Sequence, residues 1–324
     1  MQFRGSTTAS GIAILLVVAI LALVWKQGSR PAQHTTSALG IVGTTEPGRH
    51  TSTAMEFPPA HAEGTAPLPP LDMSVADMFD GLKRRADEGE ARASCRLAVE
   101  LINCNQLESF AQVGYMENSK STEKNLEESG LLTQANSVAT QQIRQLESLK
   151  RCAGISEGQR KLADVYLAQA AHAGIPEAMI RYAEGQSIAT ENSMFGMLRD
   201  EGFDRWRRDA VGQLEKALEH GEPAAVFILY VAHSSDDSPI GGLIADDPVQ
   251  TYRYRLLMSR LRGKDNAPVG KLSSLQIAEA RREVSRMHAE YFNNRILREP
   301  DAFSSLMTPA WARPEGAPLR RPCE

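Results

Sequence analysis

The sequence predicts an all-α protein assembled from recurring helix-turn-helix units, and three observations carry that expectation. A frame of apolar residues around glycine occurs three times: about Gly174 it holds Leu167, Ala171, Ala178 and Tyr182 at offsets of minus seven, minus three, plus four and plus eight. The same offsets hold Leu82, Ala86, Ala93 and Leu97 about Gly89, and Leu214, Leu218, Ala225 and Leu229 about Gly221. Composition agrees, since aromatic residues make up only 6% of the chain while the strong helix formers Ala, Leu, Glu, Arg and Gln abound. Helix-start signatures are the third observation: Ser156 with Gln159 and Ser273 with Gln276 have capping-box spacing, and Asp247 before Pro248 reads as an N-cap and first helical residue.

The frame has a physical reading. Glycine tolerates the left-handed backbone that closes a helix, so each Gly marks a C-terminal cap with apolar positions seven and three before it on one face. A second helix begins at once, and Pro176 and Pro223, both two residues after the Gly, suit its first turn. Alanine four residues after the Gly is small enough for the two helices to approach closely, and the residue at plus eight shares its face. One such hairpin cannot bury its apolar face alone, so the expected architecture is a short α-solenoid of stacked hairpins.

Along the chain, Gly11–Trp25 is an uninterrupted apolar run with Arg4 before it and Lys26 and Arg30 after it. Extended over Ala9 and Ser10 it reaches the lower limit for spanning a bilayer. No small-residue cleavage site follows at Val24 to Gln27, and Trp25 beside Lys26 suits an interfacial anchor, so residues 1–26 are expected to be one retained transmembrane helix. Residues 27–71 are rich in Thr, Ser, Ala, Gly and Pro without helical or strand periodicity and read as a disordered tether. A short leading segment, a long polar stretch after the run and an even set of cysteines predict an inner-membrane protein whose body is exported, hence periplasmic in a bacterial source.

The folded body is expected over residues 72–307. Ser74 reads as an N-cap, and the first hairpin as Val75–Asp87 with Ala91–Cys104. Residues 105–150 interrupt the repeats; there Leu132, Ala135, Ala139, Ile143 and Leu146 keep a three-four spacing that predicts a long amphipathic helix. The second hairpin is expected as Glu157–Ala173 with Pro176–Ala189, and the third as Asp204–His220 with Pro223–His233. Further helices are expected from Asp247 to Arg262 and from Ser273 to about Ile296, the last polar on its outer side as a capping helix should be. Residues 308–324 hold four prolines and read as an irregular tail.

The segment AAHAGIPEAMIRYAEG, Ala170–Gly185, resembles the AAxxGxxxAxxxLG core of the Sel-one-like repeat, a relative of the tetratricopeptide repeat. Leu82–Leu97 and Leu214–Tyr230 share the likeness, which covers about a third of the chain; the glycines lie 85 and 47 residues apart. The resemblance implies an α-solenoid adaptor or scaffold that binds a protein or peptide, and the expected anchor and export place that partner in the cell envelope. Its repeat-defining positions here are Leu82, Gly89, Ala93, Leu167, Gly174, Ala178, Leu214, Gly221 and Ala225. Some cysteine-rich members of that family are associated with penicillin or peptidoglycan recognition, so an envelope enzyme is the alternative the resemblance implies, although its motif carries no catalytic residue onto this chain.

Four cysteines are the next most specific feature. Nine residues on one helix separate Cys95 from Cys104 by about half a rotation and roughly 13 Å, so each needs a distant partner. Cys104 with Cys152 would close the 105–150 excursion at its base, Cys95 with Cys152 is the rival, and Cys323 is placed to pin the tail. No CxxC or HxxxH spacing suggests zinc, and no GxSxG, Walker loop, dinucleotide-binding glycines or HExxH occurs, so no catalytic residue, metal or cofactor is expected. His172 and His220 fall at helix C-termini where they can cap, HSSDD from His233 reads as a turn, and Trp206 reads as core beside solvated arginines. The formal charge is −4; residues 1–70 carry four basic and three acidic side chains, leaving 32 against 37, and no field favours nucleic acid. The basic bias from Arg253 to Arg298, eleven Lys or Arg against four acids, reads as solvated helix faces.

Overall fold

A computed structural model describes residues 66–112, 115–188, 202–234 and 239–298, with residues 303 and 323. The apolar run Gly11–Trp25 and the stretch 27–65 lie outside the described residues. Among the described residues all regular structure is helical: α1 Val75–Asp87, α2 Ala91–Gln112, α3 Tyr115–Glu128, α4 Leu132–Cys152, α5 Glu157–Arg160, α6 Ala163–His172, α7 Pro176–Ala183, α8 Phe203–Glu219, α9 Pro223–Ser234, α10 Pro248–Leu261 and α11 Ser274–Glu290. No described helix is long and apolar enough to cross a membrane.

Three bends share one geometry. Gly89, Gly174 and Gly221 have φ of 94°, 88° and 74°. At each, the Gly N–H donates to the carbonyl three residues back and the next N–H donates to the carbonyl four before the Gly: Gly89 to Ala86 and Glu90 to Arg85, Gly174 to Ala171 and Ile175 to Ala170, Gly221 to Leu218 and Glu222 to Ala217. This is the double closure that satisfies the last carbonyls of a helix and turns the chain sharply. All twelve apolar positions of the frame are buried, all but Leu218 and Leu229 at 1% exposure or less.

The hairpins α1–α2, α6–α7, α8–α9 and α10–α11 pack in chain order, with α2 against α6, α7 against α8 and α9 against α10. One continuous apolar cluster runs from Val75 to Phe303 and takes in Cys323. Helix α2 is enclosed on most sides, because α1, α6 and the excursion α3–α5 all contact it. Its sequence reads ASCRLAVELI rather than as an amphipathic stripe, as full enclosure requires. Caps follow the sequence: Ser74 Oγ accepts from the Asp77 N–H at 3.1 Å, Asp247 accepts from Val249 and Gln250, and both capping boxes form.

The structure corrects several expectations. The first helix of the second hairpin is split, since Lys161 and Leu162 separate α5 from α6, and α7 ends at Ala183. Helix α11 ends at Glu290, short of Ile296, because Asn293 and Asn294 take φ of 49° and 55°, a left-handed step Asn tolerates and a helix does not. The returning segment covers the third bend: Arg295 donates to the Gly221 carbonyl at 2.6 Å, and Leu297 N–H to the Leu261 carbonyl at 2.6 Å. Residues 105–150 form an extension of α2 and a helical hairpin α3–α4 closed at Gly130 by the same double bond pattern. The apolar spacing in α4 marks a face turned to solvent: Leu132, Ile143 and Leu146 are exposed, and only Ala135 of that set is buried.

Candidate functional site

Two disulfides close the body. Cys95 bonds Cys323 and Cys104 bonds Cys152. Cys95 and Cys104 point from opposite sides of α2, as their spacing requires. Beside Cys104–Cys152, the buried Glu100 carboxylate is held by Arg96 at 2.9 Å and Arg151 at 3.2 Å, and Arg151 also donates to the Met73 carbonyl. That charge cluster ties α2, the end of α4 and the entry to α1 together. At the other disulfide the Cys323 N–H donates to Glu177 Oε2 at 3.0 Å, while Glu177 Oε1 accepts from Nε and Nη2 of Arg181 at 2.9 and 2.8 Å. Glu177 and Arg181 are 5% and 7% exposed, so they form a neutralised pair whose spare acceptor is used by the tail. Arg92 reaches the Cys323 carbonyl.

The first helices of successive hairpins are joined by polar rungs. Between α1 and α6, Tyr166 donates to Asp87 at 2.8 Å and the buried Gln169 amide donates to the Ala86 carbonyl at 2.9 Å. Between α6 and α8, Arg205 pairs with Asp164 at 2.5 Å and His172 Nε2 with Asp209 at 3.2 Å. Ser187 donates to the other Asp164 oxygen at 3.2 Å. Tyr182 lies edge-on to His172 with ring centroids 5.8 Å apart. Its buried hydroxyl, near the Arg205 guanidinium, makes no well-formed hydrogen bond, and burial together with the Asp209 charge pushes its pKa well up. The rungs remain partly open, His172 and Asp209 being about a third exposed.

The histidines and the tyrosine near these rungs are held by their neighbours. Both ring nitrogens of His172 are engaged, Nδ1 with the Ala168 carbonyl at 2.7 Å and Nε2 with Asp209, so neither is left to activate a nucleophile. Tyr182 is held as a neutral phenol. His220 makes the same backbone contact to Lys216 at 2.7 Å, so both histidines cap the last turns of their helices. His233 stacks on Tyr254 and faces the Ala245 carbonyl; residues 235–237 of the HSSDD string lie outside the described residues. Among the described residues no group of His, Cys, Asp and Glu is arranged to hold a metal ion.

Trp206 is 1% exposed, donates to the Ala183 carbonyl at 3.2 Å and stacks on Phe203. Of its neighbouring arginines, Arg207 and Arg208 are exposed, but Arg205 turns inward to Asp164, which corrects the solvated reading. The repeat-defining Leu82, Ala93, Leu167, Ala178, Leu214 and Ala225 are all core, none forming part of an open surface. Of the groups that line the rungs, Arg205 was read from sequence only as a solvated neighbour of Trp206, and Asp164 and Asp209 were given no role. Their only signal is the four-residue spacing of Arg205 and Asp209, which any solvated helix shows. In the basic stretch, Arg260 pairs with Asp265 and Arg286 with Glu283 and Glu290, so much of its charge is neutralised locally. Half-buried Glu184 stands just beyond α7, where burial pushes its carboxyl up to about 7. No protein-family model, curated protein or solved structure matches this chain.

Proposed function

We propose that this chain is a membrane-tethered adaptor whose hairpins form a short α-solenoid of the Sel-one-like kind, exported to the periplasmic side and binding a protein or peptide partner in the cell envelope. The observation that carries the proposal is the repetition of one bend geometry at Gly89, Gly174 and Gly221, with the hairpins packed in chain order. Such a stack presents the first helices of its hairpins as a continuous surface, and surfaces of that kind serve binding. The rungs Asp164–Arg205 and His172–Asp209 supply partly exposed charge of both signs on that surface. Two disulfides favour an oxidising compartment. Retention through Gly11–Trp25 keeps the adaptor at the membrane.

In-cell crosslinking of the full chain with mass spectrometry tests this reading. The expected result is crosslinks from α6 and α8 to one or a few envelope proteins, lost when Arg205 and Asp209 are replaced together by Ala. Thiol labelling of intact cells should give no signal without reductant and full signal with it. Free thiols shielded by the membrane would refute export, and turnover of a β-lactam or muropeptide abolished by one rung substitution would replace the adaptor with an enzyme.

A further inference from the structure

Leu131, Leu132, Ile143 and Leu146 are among the few large apolar residues left open to solvent in the described structure, at 44%, 61%, 57% and 48% exposure. All four belong to α4 and its entry turn. Seven residues are nearly two helical turns, so Leu132, Ala139 and Leu146 fall on one face, with Ile143 between the last two, over roughly 21 Å of helix. The face of α4 that meets α3 is mostly polar: Gln141, Gln142 and Gln145, with Val138, line a cleft of about 180 Å³ together with Asn118, Ser119 and Thr122. The helix has thus kept its polar face for its own hairpin and turned its apolar face away from the body. An exposed apolar stripe of this length is a docking surface rather than scattered surface residues.

The arrangement of the stripe indicates what docks. Leu132 lies seven residues before Ala139 and Leu146 seven after, so these three positions are symmetric about Ala139, while Ile143 and Leu131 mirror onto the buried Ala135 and onto Glu147. Its ends carry opposite charge: the hairpin tip beside Leu132 has Glu127 and Glu128 against Lys124, while the far end has Arg144 and Lys150 against Glu147. A second copy laid antiparallel therefore matches both properties, as a two-fold contact must be self-complementary. We infer that α4 pairs with α4 of a second copy of this chain in an antiparallel two-fold contact centred on Ala139. Leu132 of each copy packs against Leu146 of the other. The small Ala139 side chains allow close approach at the axis, and the acidic tip of each hairpin faces the Lys150 end of its mate.

The test places a photo-crosslinking residue at position 132 of the full chain in its membrane, leaving all four cysteines in place. The expected product is an adduct of twice the chain mass, mapped to the peptide around Leu146 of the second copy. Ile143→Glu with Leu146→Glu should lower its yield by about tenfold or more. Glu128→Lys should lower it less, and adding Lys150→Glu should restore it, which a misfolded variant does not do. No self-adduct, a self-adduct mapped away from 139–150, or an adduct only with a different protein would each overturn the pairing. The adaptor reading is tested by other residues, Arg205 and Asp209, so either can fail without the other.

Discussion

The stacked hairpins and the α3–α4 hairpin obey the same bend chemistry and reach opposite packing outcomes. Gly221 and Gly130 both have positive φ, at 74° and 74°, and both close a helix with the same pair of backbone bonds. Around Gly221 the flanking helices bury Leu214, Leu218, Ala225 and Leu229, whereas beyond Gly130 the large apolar residues of α4 stand in solvent. A bend decides where a chain turns. Neighbours decide which face is covered, and among the described residues α4 lacks for its apolar stripe what α9 finds in α10 and α2 finds in α6.

The largest way to sharpen that contrast is at the bends themselves. A Cβ on Gly221 would stand 2.3 Å from the Tyr291 carbonyl oxygen, while one on Gly130 meets nothing within 4 Å. Gly221→Ala should destabilise by about 3–5 kcal/mol, combining left-handed strain with a backbone collision. Gly130→Ala should cost only about 1–2 kcal/mol from strain alone. Thermal unfolding followed by circular dichroism reads both, and equal losses would mean that the returning segment after α11 does not buttress the third bend.

Next in size is the Cys104–Cys152 bridge, which closes a 48-residue separation at the base of the excursion. Replacing both cysteines by Ala should cost about 2–4 kcal/mol in denaturant unfolding. Hydrogen exchange should quicken in α3 and α4 before it does in α6 or α8, because the bridge and the Glu100 cluster are what hold the excursion to α2. Exchange that rises evenly across all helices would show that the two regions unfold as one unit.

A smaller effect belongs to the repeats alone. With its folded carboxyl raised to about 7 by burial, Glu184 gives up its proton later than in the unfolded chain, where an ordinary value near 4.5 applies. Its contribution to stability is therefore fully present below about pH 4.5 and is lost as pH rises through about 7. Glu184→Gln should raise stability by about 1–3 kcal/mol at pH 8, the lower figure reflecting the partial exposure of the group. At pH 4 it should change little, and a gain at pH 4 equal to that at pH 8 would contradict the assignment.

The smallest expected effect lies in the polar seam of the excursion. Gln145 is 1% exposed, and neither of its amide atoms is hydrogen-bonded among the described residues. Gln145→Leu should be neutral or stabilising by about 1 kcal/mol, whereas a polar residue at Ala178 in the repeats should be strongly destabilising. Hydrogen exchange across α3–α4 is the sensitive readout for the first, and a clear loss of protection would mean that the amide holds ordered water that the hairpin needs.

Much of this was legible in the residues themselves. A glycine that must take positive φ, apolar positions counted from it and, at two of the bends, a proline two residues later are local properties, so all three bends follow from sequence. Capping boxes are equally local, and Ser74, Ser156, Asp247 and Ser273 all cap where their side chains can reach an amide. The polar rungs were not legible, since Asp164 and Arg205 are 41 residues apart and nothing in either neighbourhood names the other. Helix α3 was missed because YMENSKSTEKNLEE carries too few apolar residues to show a period.

What the sequence alone determined is where helices start, stop and bend, because those choices rest on hydrogen bonds and torsions within a few residues. Which partner each cysteine takes, which arginine turns inward and which apolar stripe stays uncovered were decided by the tertiary structure. The three-four spacing in α4 is as good a core signature as any in the repeats, and it faces water because burial needs a second surface, and no described helix of the chain supplies one.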